Sequence, residues 1–242
     1  MRFLNAYNNT GCYDFDNNGE GFALRIFAQH APLRPVIWDV GAHKGEYALE
    51  AHATVPDAQV VSFEIIPQLA RQLGEHVDPR WCEIREMGLS DSAGVVEVVW
   101  NKRADTTNSI KPLANEFFAH DDLEKVECPI STIDLLVQAG ARAPHFLKID
   151  VEGHEPAVLR GARNLLHGPD APLVIQFEYG MTWIPASGLL HDVQMMLEQA
   201  GYGVGRLFPD HVAFKTYDWN DEHFRMGNMI AVKDPDLRRA LA

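Results

Sequence analysis

One stretch constrains the fold more than any other: Val36 to Tyr47, VIWDVGAHKGEY. Apolar positions lead to an acid, a turn with Gly41 and Gly45 follows, and an alanine-rich amphipathic segment runs on to Thr54. That order predicts a buried strand, a tight loop and a helix, the entry unit of a doubly wound α/β sheet. Gly41 would let the backbone come close to a ligand, and Gly45 would let the helix pack on the strand. The loop is expected to cradle a ligand.

What the loop lacks narrows the ligand. A dinucleotide site needs a third glycine as G-x-G-x-x-G, and a P-loop closes with Lys and a hydroxyl residue. Here Asp39, Gly41 and Gly45 are followed by Glu46. Acids at Asp39 and Glu46 would repel a pyrophosphate but attract a cation, and S-adenosylmethionine carries a sulfonium and an ammonium. The next strand, QVVSFE, ends in Glu64, about 20 residues beyond the loop, where an acid accepts ribose hydroxyls in this architecture.

With 242 residues and no linker or repeat, the chain reads as one domain: an N-terminal turn and helix over 1–34, a cofactor-binding core over 35–178, and C-terminal strands with acceptor-side loops over 179–242. The net charge of −13 argues against a nucleic-acid surface, which needs clustered Lys and Arg, and favours a small-molecule partner. Cys12, Cys82 and Cys128 are odd in number and widely spaced, so they signal neither disulfides nor zinc and fit a reducing compartment. No leader-like segment opens the chain and no apolar run reaches the roughly 20 residues of a membrane span, so a cytoplasmic location is expected, with Asn8-Asn9-Thr10 an unused sequon. The oligomeric state is left open, a homodimer among the options.

Taken in order, DFDNNGEG at Asp14 to Gly21 imitates a calcium loop but has Arg25 where the bidentate acid belongs, so an Asx-rich turn before a helix over Phe22 to His30 is expected, with Glu20 at its start. Pro67 opens a helix to about His76, and WCEIREM carries a third strand. GLSDSAG is read as a turn with Ser90 and Asp91 beside an adenine, a solvated loop being the other reading. VVEVVW should pair antiparallel with Val126 to Ile130. The long polar excursion between them is expected to cover the site, with Asn108 or Ser109 touching the acceptor. Ser131 and Asp134 suggest a capping box on a helix ending at Gly140, and Pro156 to Leu166 and Leu189 to Ala200 two further helices. Runs near Tyr202 to Phe208 and Gly227 to Val232 complete a mostly parallel sheet of about seven strands with an inserted β pair.

Four expected strands finish with Asp39, Glu64, Asp150 and Glu178, which in an open α/β sheet places them along the edge where ligands bind. Asp150, Glu152 and His154 follow one another closely, with Lys148 inside the preceding strand HFLKID. A lysine there needs a carboxylate partner. Methyl transfer from a sulfonium requires alignment of the acceptor and, for a weakly acidic hydroxyl, a base or a metal. Asp150 or His154 would take the proton, or a divalent cation on Asp150 and Glu152 would lower the hydroxyl pKa. The candidate cofactor set is Asp39, Gly41, Ala42, His43, Gly45, Glu64 with its neighbour Ile65, Ser90, Asp91 and Glu20. The candidate catalytic set is Asp150, Glu152, His154 and Lys148.

From about Asp14 to Glu178 the sequence resembles the FkbM-type S-adenosylmethionine-dependent methyltransferases. NGE at Asn18 to Glu20, DVGAHKGEY at Asp39 to Tyr47, SFE at Ser62 to Glu64, STID at Ser131 to Asp134, and above all FLKIDVEGHEPAVLRGA at Phe146 to Ala162 carry the likeness. The resemblance implies a class I Rossmann-like methyltransferase fold and O-methylation of small molecules, including polyketide and sugar hydroxyls. It implies cofactor contacts from Asp39, Gly41, His43, Gly45 and Glu64, and a reacting centre facing Asp150 and Glu152. His43 stands where the family usually has Asn. Three other readings compete: an NAD-dependent oxidoreductase, a non-catalytic module that keeps the cofactor fold, and a metal-dependent hydrolase on Asp150, Glu152 and His154.

Overall fold

A computed structural model describes residues 9, 14, 15, 17–102, 110 and 123–242. The expectations for Asn108 and Ser109, and those touching Asn8, Thr10, Cys12 and Asp16, lie outside the described residues.

Helix α1 (Glu20–His30) precedes β1 (Val36–Val40), which is buried along its whole length. There follow α2 (Glu46–Thr54), β2 (Gln59–Glu64), α3 (Pro67–His76) and β3 (Cys82–Glu86). After β4 (Gly88–Leu89), β5 (Gly94–Asn101) and β6 (Leu123–Ser131) come α4 (Ile133–Gln138) and β7 (Phe146–Ile149). The rest is α5 (Glu155–Arg160), α6 (Arg163–His167), β8 (Val174–Tyr179), α7 (Leu190–Gln199), β9 (Gly203–Leu207), β10 (Val212–Phe214), β11 (Gly227–Val232) and α8 (Pro235–Leu241).

The main sheet has the order β10-β9-β11-β8-β7-β1-β2-β3. The strands from β3 to β8 run parallel, and β11, β9 and β10 add antiparallel pairings. Strand order reverses between β1 and β7, the switch point that opens a crevice beyond the carboxyl ends of the strands. One strand more than expected is present because Val212–Phe214, too short to register as a β run, pairs with β9. The inserted pair is a three-stranded sheet: β5 pairs antiparallel with β6 as expected, and Gly88–Leu89, read as turn, adds to β6 in parallel.

Alternation sorts the two faces. Trp38, Val40, Phe63, Leu147, Ile149, Ile175 and Phe177 pack under α5, α6 and α7, while Ile37, Phe146, Val174 and Ile230 pack under α1, α2 and α8. Two helix boundaries differ from expectation. The cap of α4 is Thr132, whose hydroxyl accepts the Leu135 N–H, and Asp134 instead accepts the N–H groups of Asn164 and Leu165 at the start of α6. The helix expected over Pro156 to Leu166 breaks between α5 and α6 at Gly161, where the Ser90 carbonyl occupies the place a Cβ would take. No helix among the described residues is long and apolar enough to cross a membrane.

Candidate active site

A cavity of about 860 Å³ opens at the carboxyl edge of the sheet, a size suited to a cofactor-sized ligand. Its wall includes Gly41, Ala42, His43, Glu64 and Ile65 together with Glu20, Lys148, Asp150, Glu152, His154 and Glu178. Gly41 has φ +84°, and an added Cβ would collide with the Asp150 carbonyl. The glycine therefore serves the close approach of two backbone segments, the turn after β1 and the turn after β7, as well as access for a ligand. Gly45 lies outside the lining, packed on Leu73 of α3.

Glu64 is almost fully buried, and each carboxylate oxygen accepts one backbone N–H, from His43 and from Ile66, at 2.8 Å. Those bonds leave lone pairs at the cavity wall. Burial pushes its carboxyl up to about 7, against the lowering effect of the two N–H donors. Because protonation is then favoured in the folded state, this group contributes stability that is full below the ordinary carboxyl range and is lost as pH rises from about 4.5 towards 7. Urea denaturation of Glu64→Gln should show a shallower fall in stability between pH 5 and 7 than the parent chain, by at most about 1.4 kcal/mol per pH unit. Parallel pH profiles for the two proteins would contradict this.

Asp39 does not line the cavity. It is fully buried one layer below, with Lys148 Nζ 3.4 Å from its Oδ1. Sheet register explains why. Ser62, Asp39, Lys148 and Gln176 are cross-strand neighbours on β2, β1, β7 and β8 and so share one face, forming a polar row beneath the cavity. Lys148 also reaches Asp150 Oδ2 at 3.4 Å and lies over the Tyr47 ring at 4.9 Å. Burial alone would discharge this lysine, but Asp150, Asp39 and Glu20 outweigh it and hold the ammonium charged. Gln176 donates to Glu20 Oε1 at 2.7 Å, which fixes the acid at the start of α1 against the cavity.

The turn from Asp150 to Glu155 carries the reactive groups. Buried Glu155 closes it, with Oε1 accepting the N–H of Val151 at 2.8 Å and of Gly153 at 3.3 Å. Glu152 holds a left-handed conformation at φ +53°, unusual for a residue with a side chain and common where function fixes the backbone. Burial first, then the nearby Asp150 and Glu155, push its carboxyl up to about 9; Glu178 is raised well above its ordinary value by burial and the same neighbours. At neutral pH Glu152 is therefore uncharged and able to donate a hydrogen bond.

The expected adenine neighbours sit elsewhere. Ser90 is buried outside the lining, with its hydroxyl 2.9 Å from His154 Nε2, and Asp91 pairs with Arg160 at 3.1 Å. The walls between Gly41 and the small sheet are instead apolar: Ile65, Leu69, Met87, Leu89 and Val98. Sequence reasoning passed over Phe15, Tyr47 and Met226, which also line the cavity; Tyr47 stood inside the loop motif, two residues past Gly45, and helical periodicity could have pointed it back at the strand. Among the described residues no group of three or more His, Cys, Asp or Glu side chains has an arrangement able to hold a metal ion.

A doubly wound sheet with a glycine turn after β1, an acid at the end of β2 and a cavity over the switch point is a Rossmann-like methyltransferase fold. The description "Methyltransferase FkbM domain" matches residues 39–204, and the chain belongs to that family of S-adenosylmethionine-dependent methyltransferases. It is 29% identical over 188 residues to the hexuronic acid methyltransferase AglP of Haloferax volcanii, covering 76% of this chain and 72% of the relative. It is 28% identical over 174 residues to the 31-O-demethyl-FK506 methyltransferase FkbM of Streptomyces tacrolimicus, covering 60% and 67%. Among solved structures it is similar to a precorrin-6y C5,15-methyltransferase from Geobacter metallireducens, with TM-score 0.46, 14% identity, and 88% and 87% of the two chains covered.

The cavity suits this donor. Glu64 would offer lone pairs to ribose hydroxyls, the apolar walls suit a flat heterocycle, and the volume leaves room for an acceptor.

Proposed function

We propose that this enzyme is an O-methyltransferase acting on a hydroxyl of a small molecule, either a sugar or glycoside or a polyketide or other secondary metabolite. The observation that carries the reading is one cavity holding both the Gly41 turn with Glu64 and the group Asp150, Glu152 and His154. Names of the two relatives support it: one is a hexuronic acid methyltransferase and the other a 31-O-demethyl-FK506 methyltransferase.

Glu64, Gly41, Ala42, His43 and Ile65 would hold S-adenosylmethionine, which supplies an activated methyl group when bound. The chain's own residues align the acceptor. Glu20, Glu152 and Glu178, with the Phe15 and Tyr47 rings, form a wall that combines hydrogen-bonding carboxyls with aromatic surface, suited to a polyhydroxylated or ring-rich molecule. Asp150, fixed by Lys148, orients the reacting hydroxyl, and His154 accepts its proton. The choice of base follows from the charges: Asp150 is already shared with an ammonium, which weakens it as a base, and Glu152 carries a proton at neutral pH. Buried Cys82 and Cys128, both free thiols, fit a reducing, cytoplasmic setting.

The test is transfer of label from S-adenosylmethionine to a panel of hydroxylated acceptors, with cofactor binding followed by calorimetry. Stoichiometric cofactor binding with label on an acceptor oxygen is expected. Lack of cofactor binding, or label on nitrogen or carbon only, would overturn the proposal; binding without transfer to any acceptor would favour a non-catalytic module.

A further inference from the structure

Two segments far apart in sequence are clamped together beside the cavity. Ser90 donates its N–H to the Ser131 carbonyl at 2.8 Å, and its own carbonyl sits against Gly161, leaving no room for a Cβ there. The side chain is thereby set with Oγ 2.9 Å from His154 Nε2. The same hydroxyl is 3.5 Å from Asp91 Oδ1, and Asp91 Oδ2 accepts from Arg160 Nε and Nη2, both at 3.1 Å. His154 opens α5 and Arg160 ends it, so one short helix and a single loop meet at three points.

A serine hydroxyl has one proton to give. Asp91 is an acceptor only, and its negative charge draws that proton; a lone pair of Oγ then faces His154, which must present an N–H. We propose that Ser90, backed by Asp91 and Arg160, is a positioning residue that fixes His154 as its Nε2–H tautomer. The lone pair of the neutral ring then lies on Nδ1, whatever that atom contacts. This rests on the proposed role of His154 in accepting the acceptor's proton, and it gives Ser90 a function other than contact with adenine.

Nitrogen NMR of histidine-labelled protein at alkaline pH, where histidine rings are neutral, reads the tautomer directly, with His154→Gln used for assignment. The parent chain should show His154 as Nε2–H alone. Ser90→Ala should populate the Nδ1–H form, Ser90→Thr should keep the parent pattern, and Asp91→Ala, a change at an exposed position, should shift it in the same direction as Ser90→Ala. An Nδ1–H ring in the parent chain, or an unchanged ring in both Ser90→Ala and Asp91→Ala, would overturn the inference without bearing on methyl transfer. Once an acceptor is in hand, Ser90→Ala should lower kcat by about tenfold, equivalent to about 1.4 kcal/mol, with cofactor Kd unchanged and kcat recovered in Ser90→Thr. A raised cofactor Kd with unchanged kcat would identify Ser90 as a cofactor contact instead.

Discussion

His154→Gln is expected to lower kcat by about 10²- to 10⁴-fold, the usual contribution of a positioned general base, with little change in cofactor affinity. The ring lines the cavity with Asp150 and Glu152, and the proposed donor contacts are Glu64, Gly41, Ala42, His43 and Ile65. Removing the base therefore affects the transfer step and not the binding of the donor. Glutamine keeps a hydrogen-bonding group near Ser90, so α5 should retain its start, and circular dichroism of the variant should match the parent. The measurement is initial rate against acceptor concentration, with calorimetric titration of the cofactor in parallel. A variant within about twofold of the parent rate, below half a kcal/mol, would move the proton-accepting role to Asp150.

The second large effect is on stability. Gly41→Ala should destabilise the fold by about 3 kcal/mol or more, because the strained φ of +84° and the collision with the Asp150 carbonyl act together. The carbonyl belongs to backbone that is itself held by the β1–β7 pairing, with Asp150 N–H donated to the Val40 carbonyl at 2.9 Å. It cannot retreat without opening the centre of the sheet. Gly74→Ala is the control: this glycine is inside α3, and its added Cβ would meet only Ile84 at 3.6 Å. That change should leave stability unchanged or raise it by about 0.5–1 kcal/mol. Urea midpoints of the two variants read both. Equal midpoints would show that the turn after β1 can relax, and the cavity would then lose its fixed corner.

The family assignment leaves the oxidoreductase reading without support. It agrees with the residues of the loop itself: two glycines without the third, flanked by acids. The strand, turn and helix from Val36, the acid ending QVVSFE and the cluster after HFLKID were all legible, because each depends on local periodicity and on residues within one turn of each other. The helix ends at Gly140 and Gly201, both with positive φ, were legible for the same reason. Where local rules competed, the choice fell to packing. Ser131 was the cap expected from its type and spacing, and Thr132 serves instead because Ser131 ends β6.

Other features depended on partners that no local pattern names. Asp39 looked like a ligand for a cation, and the cation it meets is Lys148, placed beside it by strand register across more than a hundred residues of chain. Gly161 looked like helix interior until the Ser90 carbonyl claimed its space. His154 and Ser90 are 64 positions apart, and their bond exists only because the end of α5 at Gly161 packs against the Ser90 carbonyl.

The amino-acid order by itself determined the alternation of strands and helices, the edge at which the acids collect and the kind of ligand that edge welcomes, since these follow from side-chain spacing and charge. Tertiary structure alone decided which acids face the cavity, which are neutralised by Lys148 or by protonation, and which serine holds the histidine. Those outcomes depend on burial and on distances between strands remote in the chain, and a charge has no fixed strength until its surroundings are set.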